Sequence, residues 1–174
     1  MGQLVFVTGG TRSGKSRYAQ SRVEAYPGDL LYVATAEARD AEMTGRVEKH
    51  KNERGERWRS LEEPLFLAER LPQATAGCAA LLLDCLTLWL SNLIEAHAED
   101  DAAIMHAVDA LITVLRGLPT DVFVVSNELG SGVVPDNALA RRFRDLHGLM
   151  NQKFAQAADE AWLVVAGLPL HLKP

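Results

Sequence analysis

Residues Gly9-Gly10-Thr11-Arg12-Ser13-Gly14-Lys15-Ser16 fit the pattern G-x-x-x-x-G-K-[ST] and follow the apolar run Leu4-Val5-Phe6-Val7. A strand running into a glycine-rich turn that opens a helix is the context this phosphate-binding motif needs. Backbone N–H groups of such a turn, together with the helix N-terminus, converge on one point and favour an anion there. Lys15 is placed to reach terminal phosphates, and the Ser16 hydroxyl to meet Mg²⁺. Asp84 ends the apolar run Ala79-Ala80-Leu81-Leu82-Leu83. A carboxylate there suits a second Mg²⁺ contact, and it would equally serve as a helix cap before Leu86.

Other residues carry weaker signals. His50 lies in the charged stretch from Arg46 to Arg54, where a solvated surface residue is the plain reading; Lys51 and Arg54 are open to the same reading. Glu62 reads on its own as a surface acid. Asn127-Glu128-Leu129-Gly130-Ser131-Gly132 holds two glycines where one connection would not need both, which points to a substrate-facing loop.

These residues need a scaffold. Apolar runs alternate with amphipathic stretches, so an α/β fold is expected, with a mostly parallel sheet between helices. Strands are expected at Leu4–Thr8, Leu30–Thr35, Ala79–Asp84, Asp121–Ser126 and Glu160–Ala166, with Trp58–Leu61 extended and Leu170–Lys173 an antiparallel edge strand. Helices are expected at Ser16–Ala25, Asp40–Arg54, Pro64–Leu71, Leu86–Ala96, a stretch opened by Glu99-Asp100-Asp101 and running to Leu115, and Asn137–Ala158. Ligands of such sheets sit beyond the carboxyl ends of the strands, so the segments after Thr8, Thr35, Asp84 and Ser126 are expected to line one site.

The 174 residues suffice for one domain spanning 1–174. The net charge of -5 argues against a nucleic-acid surface. No apolar run reaches the ~20 residues of a membrane span, and no signal-peptide pattern opens the chain; a cytoplasmic enzyme is expected. Cys78 and Cys85 fit no metal or redox spacing and are expected to be buried thiols. The five histidines form no zinc-binding pair.

Four stretches taken together resemble the bifunctional adenosylcobinamide kinase / adenosylcobinamide-phosphate guanylyltransferase family of cobalamin biosynthesis. They are Val7 to Arg17, Tyr32 to Ala36, Arg46 to Glu62 with His50 and Trp58, and Val125 to Gly130 continuing to Pro135. The tail from Leu139 to Val164 adds to the likeness, which spans essentially the whole chain. The resemblance implies a P-loop NTPase-type (RecA-like) sheet and two reactions at one site. A hydroxyl of adenosylcobinamide is phosphorylated by ATP or GTP; GTP then gives GMP to that phosphate through a histidine–GMP adduct.

By the same resemblance His50 is the nucleophile. Gly9, Gly10, Thr11, Arg12, Ser13, Gly14, Lys15 and Ser16 hold the triphosphate. Ala34, Thr35, Ala36, Lys51, Asn52, Glu53, Arg54, Glu62 and Asp84 line the guanine nucleotide or its metal, and Ser16 and Asp84 meet Mg²⁺. The resemblance also implies a corrinoid small-molecule substrate and a homotrimer. Lys49 stands where some members carry a second histidine, which leaves His50 as the candidate nucleophile nearby. A nucleotide-driven switch and a plain small-molecule kinase remain alternatives on the motif alone.

Overall fold

The computed structural model describes residues 1–36 and 55–173. The expected helix at Asp40–Arg54, and with it His50, Lys51, Asn52, Glu53 and Arg54, lies outside the described residues. Seven strands form one sheet: β1 (Leu4–Gly9), β2 (Leu30–Ala34), β3 (Trp58–Glu62), β4 (Ala80–Asp84), β5 (Asp121–Asn127), β6 (Glu160–Val165) and β7 (Leu168–Lys173). Their order is β3-β2-β4-β5-β1-β6-β7. All neighbours pair in parallel except β6 and β7, which form the expected antiparallel edge. Five helices are described: α1 (Lys15–Glu24), α2 (Leu67–Ala74), α3 (Leu86–His97), α4 (Asp101–Gly117) and α5 (Ala138–Ala157).

Successive strand residues face opposite sides of a sheet, and this divides the core in two. Leu4, Phe6, Leu31, Val33, Leu81, Leu83, Val122 and Val124 face α2 to α5, where Trp89, Leu111, Met150 and Phe154 complete the packing. Val5, Val7, Leu30, Leu82, Phe123 and Val125 face α1 through Ala19 and Val23, with half-buried Tyr18, Tyr32, Trp58 and Trp162 widening the cover. Strands buried on both faces read as continuous apolar runs, which is why β1 and β4 are plain in the sequence.

Helix starts follow from their caps. Asp100 and Asn137 accept hydrogen bonds from the N–H groups of Ala103 and Ala140, fixing the entries of α4 and α5. The helix expected from Pro64 begins instead at Leu67, and Pro72 falls inside it. The Glu63 carboxylate accepts from the N–H groups of Leu65 and Phe66 at 3.0 and 2.9 Å, so Pro64 sits in a turn ahead of the helix. Cys78 is buried as expected, but Cys85 is only half-buried because it opens α3 at the sheet edge.

Candidate functional site

β1 is the source of the site. It lies between β5 and β6, and its last residue, Gly9, pairs across to Asn127 on one side and Val164 on the other. A Cβ on Gly9 would stand 2.5 Å from the Val164 carbonyl oxygen and 2.6 Å from Ser13 Oγ. The strand end therefore excludes any side chain. The loop then folds on itself: the Ser13 N–H donates to the Gly10 carbonyl at 3.2 Å, and the Lys15 ammonium donates to that same carbonyl at 3.3 Å. Gly14 has φ 94°, which a side chain would strain. The turn between β6 and β7 seats against the loop through the Gly167 N–H and the Ser13 carbonyl, 2.8 Å apart.

A cavity of about 670 Å³ opens above this loop. The motif lines it through Arg12, Ser13, Gly14, Lys15 and Ser16, and Asp84 and Tyr32 meet it from β4 and β2. Tyr32 Oη donates to Asp84 Oδ2 at 3.4 Å. Cys85 rather than Asp84 is the N-cap of α3, so the capping reading of Asp84 does not hold. α1 contributes Arg17, Gln20, Ser21 and Glu24 to the wall. Their i, i+3, i+4, i+7 spacing puts them on one helix face, a signal legible in the sequence but outweighed by the motif beside it.

The remaining expected residues divide. Gly9, Gly10 and Thr11 shape the loop without lining the cavity. Ala34 pairs with Asp84 on one side and Glu62 on the other, so all three share the carboxyl edge of the sheet. Thr35 is fully buried and is occupied by the start of α3: its hydroxyl donates to the Cys85 carbonyl at 2.7 Å and accepts from the Cys85 N–H at 3.2 Å. Thr35, Ala36 and the exposed Glu62 thus border the edge beside the cavity. Ser16 and Asp84 bring a hydroxyl and a carboxylate to one space. No cluster of three or more His, Cys, Asp or Glu suited to a metal occurs among the described residues. That donor set fits a cation held jointly with phosphate oxygens and water, the habit of Mg²⁺.

The segment after Ser126 does not enter this cavity, contrary to the expectation of a single lined site. The Glu128 N–H donates to the Gly9 carbonyl at 2.9 Å, fastening the loop to the end of β1. Leu129 instead lines a second cavity of about 750 Å³ together with Ile94, Leu139 and Phe143. Glu128 folds its carboxylate back onto the Gly130 N–H and the Ser131 hydroxyl, both at 2.7 Å. The Ser131 hydrogen bond leads in holding that carboxyl below the usual range.

Beneath the loop lies a polar network that motif reading missed. His147, 1 % exposed, places Nε2 2.9 Å from Thr87 Oγ1 and 3.3 Å from Ser126 Oγ. Thr87 Oγ1 accepts from the Asn127 N–H, and the Asn151 amide donates to the Asn127 carbonyl. Burial pushes the His147 imidazole down to about 4, so it is neutral near pH 7. His147 and Asn151 are one turn apart on α5, but their partners come from α3 and β5, so spacing alone could not assemble them.

Residues 5–172 match the family model described as cobinamide kinase / cobinamide phosphate guanyltransferase. The chain is 39% identical to the bifunctional adenosylcobalamin biosynthesis protein CobU of Salmonella typhimurium, over 98% of this chain and 99% of that protein. It is 44% identical to the bifunctional adenosylcobalamin biosynthesis protein CobP of Pseudomonas aeruginosa, over 96% and 95%. Among solved structures, an ATPase from a type III secretion system of pathogenic bacteria superimposes with a TM-score of 0.56 at 12% identity. That match covers 94% of this chain and 51% of the other, a likeness of fold alone.

Proposed function

The chain belongs to the cobinamide kinase / cobinamide phosphate guanyltransferase family, and from that premise we propose that one site, built on the Gly9–Ser16 loop, serves both reactions within a single domain. The observation that carries this is the meeting of Lys15, Ser16 and Asp84 around one polar cavity at the carboxyl edge of the sheet. Lys15 and the loop N–H groups bind the triphosphate of ATP or GTP and draw off the charge that builds as phosphoryl is transferred. Ser16 and Asp84 are the residues that would hold Mg²⁺, which supplies charge neutralisation to the phosphates when bound. Ala34, Thr35, Ala36, Lys51, Asn52, Glu53, Arg54 and Glu62 are assigned to the surroundings of the guanine nucleotide.

In the first reaction a cobinamide hydroxyl oxygen attacks the terminal phosphorus, and the nucleoside diphosphate leaves. In the second, a neutral imidazole nitrogen of His50 attacks the α-phosphorus of GTP; the bond to the β-phosphate breaks and pyrophosphate leaves. The phosphate of cobinamide phosphate then attacks that phosphorus, and the P–N bond breaks to restore His50. An imidazole suits this because it is nucleophilic near pH 7 without a separate base and its P–N bond is labile.

We assign the active form to a homotrimer in the cytoplasm. In support, β7 is an edge strand with Leu168, Leu170 and Leu172 exposed, a surface that favours cover by another copy. No helix among the described residues is long and apolar enough to cross a membrane. Sedimentation measures the first assignment directly.

The deciding experiment uses GTP labelled at the α-phosphate. Label retained after denaturation, acid-labile, alkali-stable and absent in His50→Ala, is the expected result. His50→Ala is expected to abolish guanylyl transfer and keep most of the cobinamide phosphorylation; equal loss of both reactions would refute the division of roles.

A further inference from the structure

The described lining of the nucleotide cavity is dominated by groups suited to phosphates. Cobinamide is a corrin: a broad ring with methyl groups on its faces and carboxamide arms around its rim, one of them ending in the reacting hydroxyl. Its chemistry asks for an apolar floor, a hydrogen-bonding border and a route to the triphosphate. Among the described residues, the charged and polar side chains Arg12, Lys15, Arg17, Gln20 and Glu24 line the nucleotide cavity, with Tyr32 its one large ring.

We infer that the second cavity, between α3, α5 and the loop after β5, seats the corrin ring of cobinamide. This rests on the family reading above and gives its acceptor substrate a location. Ile94, Leu129, Leu139 and Phe143 form the apolar lining, and Ser91, Glu95, Asn137 and Arg144 stand among it as polar groups. The apolar surface continues outward along the loop, where Val133 is 95 % exposed, and along the start of α5, where Leu139 is 64 % exposed. A ligand larger than the cavity meets this continuation, as a corrin would.

Arg144 distinguishes the place from a bare apolar groove. Three arginines open α5. Arg141 donates to the carbonyls of Pro135 and Asp136, and Arg142 bonds Asp101 and the Ala98 carbonyl. Arg144 has no ion pair or hydrogen bond among the described residues, is half-buried, and faces the cavity. Its guanidinium donors match the carbonyl oxygens of peripheral carboxamides.

The route to the nucleotide is one residue long in sequence. Glu128 is bonded to the Gly9 carbonyl at the root of the phosphate loop, and Leu129 lines the second cavity. The Thr87–His147–Asn151 network pins Asn127 immediately before them. Adjacent residues of one braced backbone segment thus reach the root of the phosphate loop and the second cavity. A flexible arm of the corrin has only to cross that segment to present its hydroxyl.

The test is steady-state phosphorylation of cobinamide by the full-length protein, with KM for cobinamide and for GTP measured separately, alongside sedimentation. Leu139→Asp puts a charge on the apolar floor at an exposed site in the first turn of α5, where an acid favours the helix. Ala140→Trp fills the cavity from the next residue. Either variant is expected to raise KM for cobinamide at least tenfold and to leave KM for GTP within twofold. Arg144→Gln is expected to raise the cobinamide KM several-fold.

Unchanged cobinamide KM in both Leu139→Asp and Ala140→Trp would overturn the assignment. Unchanged KM accompanied by dissociation of an oligomer would overturn it in favour of an interface between copies. Failure of the unmodified protein to phosphorylate cobinamide while it binds GTP would instead remove the family reading, and the seat with it.

Discussion

The two cavities differ in how they are made. The nucleotide cavity is mostly one local stretch of chain, the loop from Arg12 to Ser16 and the helix face that continues it to Glu24, and among the described residues only Tyr32, Asp84 and Gly167 come from afar. The apolar cavity takes Ser91, Ile94 and Glu95 from α3, Leu129, Pro135 and Asn137 from a loop, and Leu139, Ala140, Phe143 and Arg144 from α5. Phosphates are recognised by backbone N–H groups and fixed charges, which need local geometry. A large apolar ring is recognised by area, which only packed elements can supply. The difference predicts that the two cavities fail separately and in different ways.

The largest expected effect breaks the first cavity alone. Lys15→Ala removes the charge nearest the transferring phosphates and is expected to lower both activities by about 100- to 1,000-fold, while cobinamide titrated without nucleotide, read by its visible absorption, binds as before. Loss of cobinamide binding in that variant would mean that the cavities are not separate.

The buried histidine offers a sharper comparison, since its network braces the segment between them. His147 titrates near 6.5 when unfolded and about 4 when folded. Between those values unfolding takes up a proton, so the folded state weakens as pH falls from about 6.5 to about 4. The loss is on the order of 3 kcal/mol and is expected to be smaller in His147→Gln. Urea midpoints at pH 7 and pH 4.5 for both proteins measure it.

Gly9→Ala tests how tightly the first cavity is built. The added methyl meets a backbone oxygen and a buried hydroxyl within 2.6 Å, which is expected to cost about 1–3 kcal/mol in thermal stability and to weaken GTP binding more than cobinamide binding. The smallest effect expected is that of Thr35→Val. It removes both hydrogen bonds to the Cys85 backbone, for about 1–2 kcal/mol. A small rise in the GTP KM would accompany it, because the bonds hold the chain directly after Asp84.

The same contrast explains what the sequence disclosed. β1, β4 and β5 are apolar on both faces and announce themselves, and the glycine-rich loop follows β1 as its motif requires. Asp84 was legible because a carboxylate ends an apolar run. Ala34 and Glu62 were named by the resemblance alone, and their meeting on the sheet edge is a matter of strand register that no local pattern encodes. The segment after Ser126 was marked by its two glycines as a substrate-facing loop on one common site, and in the structure it does not line the cavity above the phosphate loop. Its backbone belongs to the phosphate loop through Glu128, while its next side chain, Leu129, turns to the other cavity. His147 gave no warning at all, because its partners lie 60 and 21 residues away.

The seat of the phosphate loop on the β6–β7 turn has a consequence for the chain as it is synthesised. β1 is made before either of its neighbours, β5 and β6, and Ser13 finds its support at Gly167, far along the chain. A nascent protein thus carries its nucleotide motif with neither flank of that strand in place until β5 and β6 are made. The support of the phosphate loop is complete only once Gly167 has been made, and a chain cut short before β6 carries the motif without the strand and turn that frame it.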